Sequence, residues 1–275
     1  MKTKPAGTGI NPRSDAAGAH DGRAADTGPA DTHAKAEAAE AVAADTDAAE
    51  IVWPSYPHEV LAVVLSVRRS ELCVLLWRRR LAPHRGRWAL PGGGLSADER
   101  LRAAITRHLA VKVDVHEIAH LEQLATHSAV DRDPRGRVLA TAYLGLVPSD
   151  ADSELPPDTR WQPVDDLPAT AFDHHFFIDA GIDRLRAKLS YTNVGFALAP
   201  AEFTIAELRD LVSAALGYQV SPTNLTRVMT RRQMIEPTGA SSAPGRAGGR
   251  PAAVYRFARR ELTITDPFAV LKPPR

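Results

Sequence analysis

The chain has 275 residues, enough for one large domain or two small ones. Its 34 Lys and Arg stand against 33 Asp and Glu, so net charge names no partner and any electrostatic argument rests on where the charges sit. A single cysteine excludes an intramolecular disulfide, and no run approaches the roughly 18 apolar residues of a membrane span.

Residues 1 to about 50 are mostly Ala, Asp, Gly, Thr and Glu, with Ile10 and Val42 as the larger aliphatics. Such a segment buries too little apolar surface to offset its ordering entropy, so 1–52 reads as a disordered extension. Its Ala-rich part, near 34–50, lacks an apolar face. The N-terminal lysines precede no apolar signal core, and the expectation is a soluble, cytoplasmic protein.

Order begins near Trp53. VLAVVLSV (60–67) and ELCVLLWRR (71–79) are β-rich runs separated by a polar turn and predict a hairpin, with Cys73 as a buried, inert thiol. A basic loop follows, RRRLAPHRGRW (78–88), then ALPGGG. Leu101, Ala104, Ile105 and Leu109 fall at helical spacing within 97–111, with Ser96 as a candidate N-cap. VDVHEIAHLEQLAT and RVLATAYLGLVP read as strands, RWQPVDDLP (160–168) as a short strand and turn, and FIDAGIDRLRAKL (177–189) as a helix. Strands and helices mixed in this order predict an α/β domain over 53–190.

The HEIAH segment, 116–120, matches the His-Glu-x-x-His pattern of zinc peptidases. That pattern works on a helix. On the strand predicted here, residues four apart are separated by about 13 Å, too far to share one zinc, and no third ligand is signalled. The match is read as accidental, and His174 and His175 as structural. No metal or cofactor is expected.

Beyond residue 190 the character changes. TIAELRDLVSAALG (204–217) is an amphipathic helix opened by Thr204 and closed by Gly217. SPTNLTRVMTRRQM (221–234) is a second, with Ser221 as N-cap, Pro222 at the first helical position and Leu225, Val228 and Met229 as the buried stripe. The short run IEP, the loop TGASSAPGRAGGRPA and the return strand AVYRF complete a helix-turn-helix with a two-stranded wing over 191–262, leaving 263–275 as a tail.

Basic residues outnumber acidic ones three to one between 184 and 260. Thr223, Asn224, Arg227, Arg231 and Arg232 lie off the buried stripe of the second helix, the part that enters a major groove. Asn and Arg match adenine and guanine edges. Arg246 and Arg250 sit among the glycines of the wing, where backbone approaches phosphates or a minor groove. Double-stranded DNA is therefore the expected partner.

The segment PGGGLSADERLRAAITRHLAVKVD carries a further pattern: Gly93, five residues, Glu99, seven residues, then Arg107 and Leu109. With WALPGGG before it and WQPVDDLP after it, residues 55–170 resemble the Nudix family. The resemblance implies an α/β/α sandwich and hydrolysis of a nucleoside diphosphate linked to another group, driven by Mg²⁺ held on helical carboxylates. The family's carboxylate positions here hold His108, Val111 and Lys112. A cation and an aliphatic do not bind a hard divalent ion, and His binds Mg²⁺ poorly.

By the resemblance, Glu99 and Arg107 remain as a structural remnant that braces loop against helix. The expectation is a catalytically dead domain without catalytic residues. The alternative is an active pyrophosphohydrolase with displaced ligands, for which Asp98, Glu117 and Glu122 lie nearby. Either way a nucleotide pocket is expected, lined by Gly92 and Gly93. Arg78, Arg79, Arg80, Arg85 and Arg87 crowd the loop before it, with Arg78, Arg80 and Arg87 taken as pyrophosphate ligands and Trp88 or Trp77 stacking a base.

A Nudix-like sensor followed by a winged helix resembles the NrtR family of Nudix-related repressors of NAD biosynthesis. YTNVGFALAPAEFTIAELRDL at the junction and GRAGGRP in the wing extend that likeness over 53–260. It implies a homodimer on a palindromic operator, an effector such as ADP-ribose or an NAD-related nucleotide, and a nucleoid-associated protein.

Overall fold

In the computed structural model the described residues are 54–151, 154–242 and 251–267. The extension predicted disordered, together with Arg246 and Arg250, lies outside them.

The central strand is β1 (His58–Arg68), whose residues Val60–Leu65 are almost wholly shielded from solvent. It pairs antiparallel with β2 (Glu71–Arg78), with Arg68 opposite Glu71. The joining residues, Arg69 and Ser70, both adopt positive φ, 51° and 64°, as a two-residue hairpin that matches strand twist requires. On the same edge, nearer its start, β1 pairs antiparallel with β4 (Gly92–Gly94), and along its other edge it runs parallel to β6 (Leu139–Leu146). Strands β3 (Trp88–Ala89), β5 (His120–His127) and β7 (Thr159–Pro163) complete a seven-stranded mixed sheet.

Alternation along β1 builds two cores from one strand. Val60, Ala62 and Val64 pack against Ala104, Ile105, Leu109 and Val113 of helix α1 (Leu101–Val113). Leu61, Val63 and Leu65 share the opposite core with Phe177, Ile178, Ile182 and Leu185 of helix α2 (His174–Tyr191). At Gly181 of α2 an added Cβ would come within 2.7 Å of Val63 Cγ1, so the helix lies close against the strand. The result is the expected sandwich of sheet between helices.

Two local readings need correction. Ser96 does not cap α1, which starts at Leu101 after Arg100 and has no side-chain cap. VKVDV is not a strand either. Val113 completes the buried stripe of Ile105 and Leu109, so the helix runs to Val113 and ends on Asp114 at φ 54°. The following residues form a loop, and β5 starts only at His120.

The C-terminal part follows a short 3₁₀ turn (Val194–Ala197). Helix α3 (Ile205–Leu216) opens with a reciprocal capping box between Thr204 and Glu207 and closes on Gly217 at φ 79°. Helix α4 (Pro222–Arg231) opens with Ser221 accepting from the Asn224 amide and Pro222 in its first turn. Leu225 and Met229 are buried and Val228 is half-buried.

The wing has three strands where two were expected. β8 (Phe203–Thr204) joins β9 (Ile235–Ser241) and β10 (Ala253–Phe257) in the order β8-β10-β9. β9 also absorbs Thr238–Ser241, which the sequence placed in the loop. The signal was lost because Thr, Gly, Ala and Ser here carry no apolar alternation on a largely exposed hairpin.

No break in packing marks residue 190. Phe196, Phe203, Leu211, Leu225, Met234 and Phe257 belong to the same core as α2 and β1, and the described residues from Ser55 onward form one compact unit. The described start of the segment expected as a tail, 263–267, is pinned to that unit. Asn193 receives the Thr263 amide on Oδ1 at 2.7 Å and donates through Nδ2 to the Glu261 carbonyl at 2.8 Å.

Candidate functional site

Where β1, β2, β4 and the start of α2 meet, they enclose a cavity of about 830 Å³. Gly92, Gly93 and Gly94 form one wall, and at the first two β4 needs bare backbone. A Cβ on Gly92 would sit 2.1 Å from the Val60 carbonyl oxygen, and one on Gly93 would sit 2.5 Å from His108 Cε1.

Helix α1 faces this strand with His108 and Lys112, one turn apart. The His108 Nε2–H donates to the Gly94 carbonyl at 3.0 Å, and the Lys112 ammonium donates to the Gly92 carbonyl at 2.5 Å. The tautomer of His108 follows from that acceptor. Burial pushes its pKa down, which keeps the ring neutral. Val111 points away and is 78 % exposed. Arg107 holds Glu99 with two bonds of 2.8 and 2.6 Å, and the Arg107 guanidinium keeps the carboxyl below its usual range. The pair thus ties the turn before α1 to the helix, as expected of it.

Gly92 and Gly93 line the cavity, but the predicted arginines and Trp88 do not. Strand alternation is the reason. Trp77 and Arg79 face the cavity, so Arg78 and Arg80 face away. Arg78 donates to the Gly86 carbonyl at 3.0 Å, and Arg80 pairs with Asp158 at 2.9 Å. Arg87 is exposed on the loop. Trp88 packs beneath Arg160, 4.1 Å from its ring centroid.

The cations that do line the cavity are Arg79, Lys112, Arg135 and Arg137. Arg135 and Arg137 come from a loop with no motif. Arg132 anchors that loop from inside, with its guanidinium 2.8 Å from Glu59 and 2.9 Å from Asp173. Burial opposes the charge on Arg132, yet these two carboxylates hold its pKa above the ordinary value. Asp133, itself buried, takes Arg135 at 2.6 Å.

At the rim, Tyr56 is 42 % exposed with the Arg137 guanidinium 5.1 Å from its ring centroid. His174 forms the inner wall. Its Nδ1 accepts the Leu90 amide at 2.9 Å, and full burial lowers its pKa to about 3. The expectation that this histidine is structural therefore agrees with its contacts.

Of the other carboxylates near the glycine strand, Glu122 is engaged by Lys188 at 2.9 Å and Arg184 at 3.3 Å. Asp98 and Glu117 are exposed. In HEIAH, His116 pairs with Asp114 and His120 with Glu122. Among the described residues no three His, Cys, Asp or Glu side chains gather as a metal site, and no helix is long and apolar enough to cross a membrane.

On α4, Thr223, Asn224, Arg227 and Arg231 are all exposed, with Arg227 Nη2 2.8 Å from Asn224 Oδ1. Arg232 is different. It lies just past the helix and turns inward, bonding the Ser190 carbonyl and the Asp266 carboxylate, each at 2.8 Å. It is removed from the groove-facing set because the chain leaves helical geometry at this residue.

Comparisons with known proteins match two stretches of the chain. Residues 56–180 match the NUDIX domain and residues 195–257 the NrtR DNA-binding winged helix domain. The chain is 32 % identical over 233 residues to the ADPR responsive transcriptional repressor NtrR of Acinetobacter baylyi, covering 80 % of this chain and 90 % of that one. Over 129 residues it is 29 % identical to an ADP-ribose pyrophosphatase of Methanocaldococcus jannaschii, covering 45 % of this chain and 73 % of that one. The crystal structure of Shewanella oneidensis NrtR complexed with a 27mer DNA superposes with a TM-score of 0.66 at 30 % identity, over 72 % of this chain and 92 % of that one. Glycine strand, capped recognition helix and three-stranded wing thus stand in one chain with a relative matched over nearly its whole length, and the chain belongs to the NrtR family of Nudix-related transcriptional regulators.

Proposed function

We propose that this protein is a DNA-binding transcriptional repressor whose Nudix-like domain senses ADP-ribose or a related nucleotide. One observation carries the reading: the cationic cavity and the exposed face of α4 belong to a single packed unit with an unbroken core. Arg79, Arg135 and Arg137 suit a diphosphate, and Tyr56, part-exposed at the rim beside Arg137, offers an aromatic ring for a base. Thr223, Asn224, Arg227 and Arg231 read or clasp the DNA. Arg246 and Arg250 are assigned to the wing contact from sequence.

The physical requirement is a differential affinity. An effector that binds one arrangement better shifts the population of recognition helices that fit the operator; equal binding to both changes nothing. A palindromic operator calls for two helices and hence a homodimer. Control of NAD biosynthesis and a cytoplasmic, nucleoid-associated location belong to the same proposal.

A mobility shift at fixed salt tests it, using DNA upstream of the protein's own gene and of nearby NAD biosynthesis genes, with and without ADP-ribose and NAD. Specific binding altered by a nucleotide is the expected result. The absence of specific binding to every fragment would overturn the repressor reading.

The second reading is a Nudix pyrophosphohydrolase, favoured by the intact Glu99–Arg107 pair and the likeness to an ADP-ribose pyrophosphatase. It predicts Mg²⁺-dependent release of AMP from ADP-ribose. The side chains at 108, 111 and 112 argue against it, and no turnover is expected.

A further inference from the structure

The positions at which a Nudix helix presents carboxylates to a divalent ion hold groups that do not fit one. His108 is spent on the Gly94 carbonyl, Val111 points to solvent, and Lys112 is itself a cation on the cavity wall. We propose that Lys112 takes the metal's electrostatic role as a cation built into the wall, so that this protein binds the diphosphate of its effector without a divalent ion. The proposal rests on the cavity being the effector site.

The geometry gives three supports. First, the Lys112 ammonium is held in place rather than waving in solvent. It donates to the Gly92 carbonyl at 2.5 Å and lies 4.8 Å from the Trp77 ring centroid. An ammonium has three N–H donors, and one bond to Gly92 leaves two for ligand oxygens.

Second, the cavity carries an excess of fixed positive charge. Arg79, Lys112 and Arg137 line it together with Arg135, which is paired with the buried Asp133 at 2.6 Å, while the lining carboxylate, Glu59, is bonded to Arg132 behind the wall at 2.8 Å. A diphosphate entering this space meets cations at no further cost of recruiting an ion. A divalent ion entering it would meet repulsion.

Third, these cations repel one another. Burial and then the Arg79 guanidinium hold the Lys112 pKa below the usual lysine range, and burial and then Arg135 do the same to Arg79. An anion bound among them offsets the repulsion between like charges.

The test is isothermal titration of the full-length protein with ADP-ribose and, separately, with inorganic pyrophosphate, each in EDTA and in excess Mg²⁺. Wild type is expected to bind both probes in EDTA, with affinity unchanged by Mg²⁺ within about twofold. Lys112→Gln should weaken both by about tenfold or more, and Lys112→Arg should restore most of the loss, since a charge-assisted bond to phosphate is the interaction removed. Thermal melts check that the variants fold, and the metal dependence of wild type decides the matter if Lys112→Gln does not.

Wild-type binding that appears only with Mg²⁺ overturns the proposal, as does Lys112→Gln binding both probes as tightly as wild type. Pyrophosphate bound in EDTA and lost in Lys112→Gln, with no binding of ADP-ribose, supports the built-in cation and removes the nucleotide reading. Binding of neither probe, in EDTA or in Mg²⁺, overturns both.

Discussion

Arg232 and Asp266 form an ion pair of 2.8 Å between the residue that ends the recognition helix and a segment beyond the wing. The same guanidinium bonds the Ser190 carbonyl in the last turn of α2. Helix α2 spans about 27 Å at 1.5 Å per residue. It begins at His174 on the cavity wall and ends beside this pair. One rigid element therefore touches both the cavity and the foot of α4. Arg232→Ala is expected to cost about 2 kcal/mol of stability by removing a charged hydrogen bond from the half-buried Asp266 carboxylate, measured by urea denaturation. Operator binding without effector should persist while its response to ADP-ribose shrinks. An unchanged response would remove α2 from the coupling.

Arg227→Ala removes an exposed side chain bonded to Asn224, so the fold should be unaffected. Operator affinity should fall by about 1–3 kcal/mol, and the loss on unrelated DNA of equal length should be smaller. Equal losses on both, in mobility shifts at one salt concentration, would make Arg227 a phosphate contact instead.

His174 sets an acid limit. Its pKa is depressed to about 3 by burial, against about 6.5 when unfolded. Above pH 6.5 neither state binds this proton. As pH falls below 6.5 the unfolded chain takes it up and the folded chain does not, so stability declines, by at most about 1.4 kcal/mol per pH unit for this group. His108 and His120, also depressed by burial, add in the same direction. In His174→Gln this share of the slope should vanish between pH 6 and pH 4. Denaturation midpoints across that range check it.

The two glycines of β4 differ in what lies against them. A Cβ at 92 meets the Val60 carbonyl and the Leu61 backbone, whereas one at 93 meets the His108 ring. A side chain yields more readily than a central strand. Gly92→Ala should therefore cost about 3 kcal/mol or more and Gly93→Ala about 1–2 kcal/mol. The order of their melting temperatures tests the claim, and the reverse order would mean that β1 shifts more easily than His108.

Much of this protein is legible locally. The β1–β2 hairpin, the capping residues Thr204 and Ser221, the Gly217 stop and the exposed Asn224–Arg227 face follow from periodicity and end chemistry within a single segment. The Glu99–Arg107 pair was implied by the Nudix resemblance, and its spacing lies inside one turn-helix unit. These features need no distant partner to be defined.

What the sequence left open depends on segments far apart in the chain. Which arginine of the run 78–80 enters the cavity was decided by the face that β2 presents once β7 and β3 pair with it. Arg135 and Arg137 became cavity residues because Arg132 reaches Glu59, 73 residues away, and fixes their loop. Arg232 looked like one more basic residue of a recognition helix until Asp266 and Ser190 were placed beside it. Residue type and spacing constrain the near neighbours of a side chain, but the direction of a charged group is set by whichever remote partner desolvates or pairs it, and that partner is supplied by the tertiary fold alone.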